Sequence, residues 1–201
     1  MLTFKRHLLE QVGMGLTVFD IDDTLFNTKA KVQVKKDGKV LKQLSASEYN
    51  SYRLQDGESY DYGEFKNASL FAKTSTPIAR MIAKAKAIIK NSVAQGSKVI
   101  ISTARSDMDN KEIFLRALDA HGISTDNIHV ERAGNLNLGS SAKNKKVIFR
   151  KYLRSGRYSR VRFFDDDMNN LRSFLSLSKE YPNIEFSAYH VGKDGRTKTI
   201  R

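Results

Sequence analysis

Two hydrophobic rhythms alternate along the chain. Leu16-Thr17-Val18-Phe19, Val99-Ile100-Ile101 and Val161-Arg162-Phe163-Phe164 are short apolar runs that predict strands buried on both faces of a sheet, at about residues 15–20, 98–102 and 161–164. Ile128-His129-Val130 predicts a shorter strand, and residues 184–191 a fifth. Between these runs the period lengthens to that of a helix. Ile78, Met81, Ile82, Ala85, Ile88 and Ile89 share one face of a helix expected over 77–94, with Thr76 as its N-cap, Pro77 at its first position and Gly96 beyond its end. Further helices are expected at 107–120, 140–154 and 168–180, carried by Phe114 and Leu118, by Ile148 and Leu153, and by Leu171 and Phe174. Strands that alternate with helices imply crossover connections and a three-layer α/β arrangement around a parallel sheet.

Residues 26–76 interrupt this rhythm. Lys31 to Lys36 and Lys39 to Leu41 alternate on either side of Asp37-Gly38, a hairpin signature. Residues 45–76 are polar and rich in tyrosine, with Tyr49, Tyr52, Tyr60 and Tyr62 beside Phe65 and Phe71. They predict a small cap or substrate loop inserted between core strands. Aromatic rings beside basic residues can stack nucleobases, and more often they form a local core. A single domain over 1–201 is expected, with its core at about 14–25 and 77–191. Residues 1–13 fit a short helix or an edge strand, and Asp194-Gly195 would fold the tail into an edge hairpin.

Composition narrows the class. The chain has no cysteine, which excludes disulfides, thiolate metal sites and a cysteine nucleophile. No apolar run is long enough to span a bilayer, and Met1 to His7 lack the apolar core of a signal peptide, so a cytoplasmic protein with no membrane partner is expected. The net charge of +13 favours polyanions. It is unevenly spread: no acid lies between Glu64 and Asp107 or from Lys143 to Arg162. Lys146, Arg150 and Arg154 recur every fourth residue and would form a basic stripe on one helix face.

The acids gather where strands end. Asp20-Ile21-Asp22-Asp23-Thr24 closes the first run, Thr103-Ala104-Arg105 follows the second, and Asp165-Asp166-Asp167 follows the fourth. Open α/β sheets bind ligands at this edge. The order D-x-D-x-T, strand-Thr, Lys, strand-Asp-Asp resembles motifs I to IV of the haloacid dehalogenase-like (HAD) phosphohydrolases, and is similar in order to the phosphatase portion of phage polynucleotide kinases. The resemblance covers most of the chain outside 26–76 and the termini. It implies a Rossmann-like core with a flap hairpin and a small cap after the first core strand. It also implies Asp20 as a nucleophile that forms an aspartyl-phosphate, and Asp22 as general acid and base, with its backbone carbonyl on a metal. Thr103 and the Ala104 amide would bind phosphoryl oxygens, and Lys145 would supply positive charge. Asp165 and Asp166 would complete a Mg²⁺ site with Asp20 and Asp22. Lys143 rivals Lys145, which is preferred because Lys145-Lys146-Val147-Ile148-Phe149 has the apolar spacing that usually follows this lysine in the family. Asp167 is expected to favour a helix N-terminus.

Each residue type suits phosphate-ester hydrolysis, because a carboxylate can attack an anionic ester only where cations offset the repulsion. The expected activity is a Mg²⁺-dependent phosphatase acting on a nucleic-acid end or a nucleotide. A small-molecule phosphatase acting on a sugar phosphate, and a non-catalytic basic nucleic-acid-binding protein on the same scaffold, are the alternatives. Oligomeric state is not legible in the sequence.

Overall fold

The computed structural model describes residues 14–94, 96–126 and 128–200, so the reading of residues 1–13 lies outside the described residues. Five parallel strands form the main sheet: β1 (Met14–Phe19), β7 (Lys98–Thr103), β8 (His129–Arg132), β9 (Tyr158–Asp165) and β10 (Glu185–Val191). An antiparallel edge strand, β11 (Thr197–Ile200), completes it as the tail hairpin beside β10. The spatial order is β11-β10-β9-β1-β7-β8. The chain therefore moves outward from β1 through β7 and β8, then crosses to the other side of β1 for β9 and β10. That reversal opens a crevice at the carboxyl end of β1.

The pleat sorts neighbouring side chains onto two faces. Phe19, Val99, Ile101 and Phe164 point to one side, where α3 (Ala68–Thr74), α4 (Ala79–Ala94) and α5 (Lys111–Ala120) bury Phe71, Met81 and Phe114 against them. Leu16, Val18, Ile100 and Phe163 point to the other, against Phe149 of α6 (Ser141–Leu153) and Phe174 of α7 (Met168–Leu175). The rings of Phe149, Phe163 and Phe174 meet at centroid distances of 4.7 to 5.4 Å, within the range where edge and tilted packing adds to burial. Among the described residues no helix is long and apolar enough to cross a membrane.

Two helix starts differ from expectation. Thr76-Pro77 does not open α4; it is a two-residue strand, β6, antiparallel to β2 (Phe26–Asn27), and Ile78 N–H donates to the Leu25 carbonyl. A residue before proline is pushed toward extended backbone, and here a partner strand is available to use it. The helix expected from 107 begins at Lys111, capped by Asn110, whose side chain accepts from Ile113 N–H. The preceding residues are held elsewhere: Asp107 N–H donates to Asn135, Asp109 N–H donates to the Lys66 carbonyl, and the Asp109 carboxylate accepts from Ala68 N–H.

The hairpin at 31–41 is present as β3 (Val32–Lys36) and β4 (Lys39–Leu44), turning through Asp37 and Gly38 at positive φ. The sequence predicts a small cap or substrate loop after it, without assigning elements. Those residues form α1 (Ala46–Ser51), β5 (Glu58–Asp61) and α2 (Gly63–Lys66), and β5 pairs with β3 to make a separate sheet in the order β4-β3-β5. Val32, Val34 and Leu44 pack there against Tyr49, Tyr52, Tyr60 and Phe65. Hairpin and tyrosine-rich stretch are thus one unit with its own small core.

Gly134 fixes how closely the loop after β8 approaches the loop after β7. A Cβ there would lie 2.7 Å from the Arg105 carbonyl carbon and the Ser106 nitrogen, and closer still to the Ala104 carbonyl oxygen. Gly134→Ala should therefore displace residues 104–106. Urea unfolding should show a loss of about 1–3 kcal/mol, the usual cost of overpacking; wild-type stability would contradict this close approach.

Candidate active site

β1 lies between β9 and β7, so residues just past their carboxyl ends converge in one crevice. Asp20 extends the β1–β9 pairing by one hydrogen bond, its N–H donating to the Phe164 carbonyl (3.0 Å). Beyond it the backbone turns sharply: the Ile21 carbonyl accepts from Leu25 and Phe26 N–H, and Asp23 has φ 56. This turn keeps Asp22 beside the crevice. Asp165 ends β9, and Asp167 caps α7 by accepting from Asn169 N–H.

Lys145 reaches this cluster from the first turns of α6. Ser140 caps that helix, accepting from Lys143 N–H, and Asn144 accepts from Leu138 N–H to hold the preceding loop. Lys145 Nζ donates to Asp20 Oδ1 and Asp165 Oδ2, both at 2.7 Å, with all three side chains nearly sealed from solvent. Lys143 is exposed on the same helix and does not take part in this pairing. Asp165 also accepts from the Asn170 amide and Asp167 N–H, which fixes its orientation. Thr24 donates to Asp166 (3.3 Å).

A second cation meets the acids: Arg105, which follows the second strand and to which the sequence reading assigns no role. The Arg105 guanidinium is buried and grips both oxygens of Asp22, through Nε at 2.9 Å and Nη2 at 2.6 Å. It also donates to the Phe65 carbonyl (2.8 Å) and the Thr28 hydroxyl (3.0 Å), and lies 4.7 Å from the Phe65 ring centroid. One arginine thus joins the β1 turn, the β7 loop and the insertion. The available signal was charge balance, since buried Asp20, Asp22 and Asp165 beside half-buried Asp166 call for more than one lysine.

These groups line a cavity of about 460 Å³. Asp20, Asp22, Ala104, Arg105, Lys145 and Asp166 reach its surface. Thr103 and Asp165 stand behind it: both are fully buried, and the Thr103 hydroxyl accepts from Arg105 N–H (3.1 Å). A phosphoryl group in the cavity would meet the 104–106 loop before the Thr103 side chain. The basic stripe lies elsewhere on α6 and is partly neutralised, because Arg150 forks onto Glu180 (2.8 Å) and Lys146 Nζ lies 3.4 Å from the same carboxylate.

The cavity floor is rich in negative charge. Burial pushes Asp20 up to about 8, with repulsion from Asp165 and Asp22 opposing the pull of Lys145. Burial, then repulsion from Asp165 and Asp20, pushes Asp166 up to about 9. Burial works against the Lys145 charge, but Asp165 and Asp20 outweigh it and hold the ammonium above its ordinary range. Lys145 and Arg105 together leave an excess of carboxylate. One oxygen each from Asp20, Asp165 and Asp166 lies within 4.8 Å of the others, an all-oxygen donor set with the charge and hardness that suit a divalent cation such as Mg²⁺. A scan against protein-family models finds no match to this chain, and a search of curated proteins finds no relative.

If the donor set holds a cation, Mg²⁺ should raise the thermal midpoint of the metal-free protein, by the equivalent of about 2.7 kcal/mol at a hundred times the dissociation constant. Asp166→Asn should melt close to wild type without metal, since an amide keeps the shape of a carboxyl whose ionisation burial already disfavours, and should lose most of the Mg²⁺ response. An undiminished response in that variant would exclude Asp166 as a ligand.

Proposed function

We propose that the chain is a HAD-like phosphohydrolase that cleaves phosphate monoesters with the help of Mg²⁺. The observation that carries the reading is the meeting of Asp20, Asp165 and Asp166 with Lys145 at the ends of adjacent parallel strands. On this reading the β3–β4 hairpin is the flap, and the helices and strand at residues 46–74 form the cap. Asp20, Asp165 and Asp166, with the Asp22 backbone carbonyl, would hold the metal, which supplies charge neutralisation and orientation to the phosphoryl group.

Asp20 is the one of these acids that both reaches the cavity and sits at the end of β1, and a carboxylate oxygen there attacks phosphorus. The bond from phosphorus to the ester oxygen breaks as the Asp20–phosphorus bond forms, and the departing oxygen takes a proton from Asp22. Water then attacks the aspartyl-phosphate and gives its proton to Asp22; phosphate leaves and Asp20 is restored. Lys145 keeps its charge throughout and stabilises the extra negative charge on the transferring group. The Ala104 amide would bind a phosphoryl oxygen, whereas the Arg105 amide is already donated to the Thr103 hydroxyl. Both Asp22 oxygens lie in the Arg105 fork, so proton transfer requires the carboxyl to turn partly out of it; Arg105 positions this acid between turnovers.

The test is phosphate release from a panel of phosphate monoesters with added Mg²⁺. Asp20→Asn should reduce turnover to background while the far-ultraviolet spectrum stays native. Asp22→Asn should lose about 10²–10⁴-fold with poor leaving groups, the usual contribution of general acid–base help, and less with good ones. Turnover near wild type in Asp20→Asn, or equal losses across leaving groups in Asp22→Asn, would contradict these roles.

The partial neutralisation of Lys146 and Arg150 favours substrates held inside the cavity over a long polyanion tracked along α6. A sugar phosphate or metabolite is the small-molecule form of that reading, and a nucleotide or a nucleic-acid end is the other.

A further inference from the structure

The catalytic floor occupies only one side of the cavity. The insertion supplies another part of the lining, and it is largely aromatic: Tyr49, Tyr62 and Phe65 line it, with Val32, Ala46 and Lys66. Among the described residues Tyr62 is the large aromatic side chain most open to solvent, at 38 %. Its neighbours hold it in place. The Tyr62 and Tyr49 hydroxyls are hydrogen-bonded to each other (3.0 Å), Tyr49 packs edge-on to Tyr62 at 5.7 Å, and the Tyr60 ring lies at 5.8 Å. Arg105 and the Val32–Val34 core brace Phe65 in turn.

This bracing decides what the wall can recognise. Because one tyrosine hydroxyl donates to the other, a single O–H of the pair is left for a ligand, and the rings offer the cavity mainly carbon surface. A ring already fixed by packing also loses little rotational freedom when a ligand stacks on it. Rings used only for a local core are covered, as Phe71 is; Tyr62 instead stands open beside a site that handles charge.

We infer that Tyr62, supported by Tyr49 and Phe65, selects phosphate monoesters whose alcohol carries a nucleobase, an inference that rests on the phosphohydrolase reading. The base stacks on the insertion while the phosphoryl group lies against Asp20 and Lys145. Free mononucleotides and phosphorylated strand ends share this chemistry.

The experiment compares the full chain with Mg²⁺ on ribose 5-phosphate, on 3′- and 5′-mononucleotides, and on oligonucleotides phosphorylated at either end. The nucleobase should raise kcat/KM by at least about tenfold over ribose 5-phosphate, given the strength of base–aromatic stacking. Tyr62→Leu should collapse that preference by roughly 5- to 150-fold, through KM, whereas Tyr62→Phe, which keeps the ring, should retain it. Equal preference among mononucleotides and oligonucleotides identifies the free nucleotide as sufficient; preference confined to oligonucleotides identifies the strand end as the source. Calorimetric binding of the preferred nucleotide to Asp20→Asn, with and without Tyr62→Leu, tests the wall independently of turnover. If no substrate is hydrolysed but Asp20→Asn binds nucleotide in a Tyr62-dependent way, the hydrolase reading fails and the wall stands. A wild-type protein with no preference for the nucleobase in turnover or binding, or a preference that survives Tyr62→Leu undiminished, overturns the inference.

Discussion

Burying carboxylates at the end of β1 is the constraint from which much of this structure follows. An isolated buried carboxylate is expensive, and it is tolerated only where cations and hydrogen bonds answer it. Asp20 and Asp165 are answered by Lys145, which requires α6 to start at the crevice and therefore requires the Ser140 cap and the Asn144 link to Leu138. Asp22 is answered by Arg105, which requires the loop after β7 to fold inward, and Gly134 leaves room for that loop. Burial first, and then repulsion among the acids, pushes the Asp20 and Asp166 carboxyls well above their ordinary range. Such a cluster gains little as a structural device, since well-packed apolar residues would serve stability as well or better. On the phosphohydrolase proposal its value would lie in chemistry with another charged species.

The core and its edge were legible because they depend on local pattern. Fully buried parallel strands read as unbroken apolar runs, and the acids that end them stand out for the same reason. Lys145 was found through the apolar spacing that follows it. What was not legible depends on partners distant in sequence. Thr76-Pro77 carries good signals for a helix start, yet its structure is set by Phe26 and Asn27. Glu58 to Asp61 is too short to show an alternation, and becomes a strand because β3 has a free edge. Arg105 resembles any other member of a basic run until Asp22, Thr28 and Phe65 close around it. Thr103 was placed correctly at a strand end, but its hydroxyl oxygen accepts from the Arg105 backbone N–H and lies behind the cavity surface.

Arg105 also links two levels of organisation that the sequence presents separately. The parallel core fixes the acids and Lys145, while the small β4-β3-β5 sheet fixes the aromatic wall. Arg105 touches both, through Asp22 on one side and the Phe65 carbonyl and ring on the other. Asp109 adds a second tie by accepting from Ala68 N–H, and its own N–H donates to the Lys66 carbonyl. The distance between wall and floor is therefore held by directional polar contacts rather than by a broad apolar interface alone. Hydrogen bonds of this kind enforce a geometry more strictly than apolar packing, because they weaken steeply with misalignment. A displacement of the insertion would pull on the guanidinium that grips Asp22. The part of the site that would recognise the alcohol of a substrate is in this way mechanically joined to the group that would protonate it.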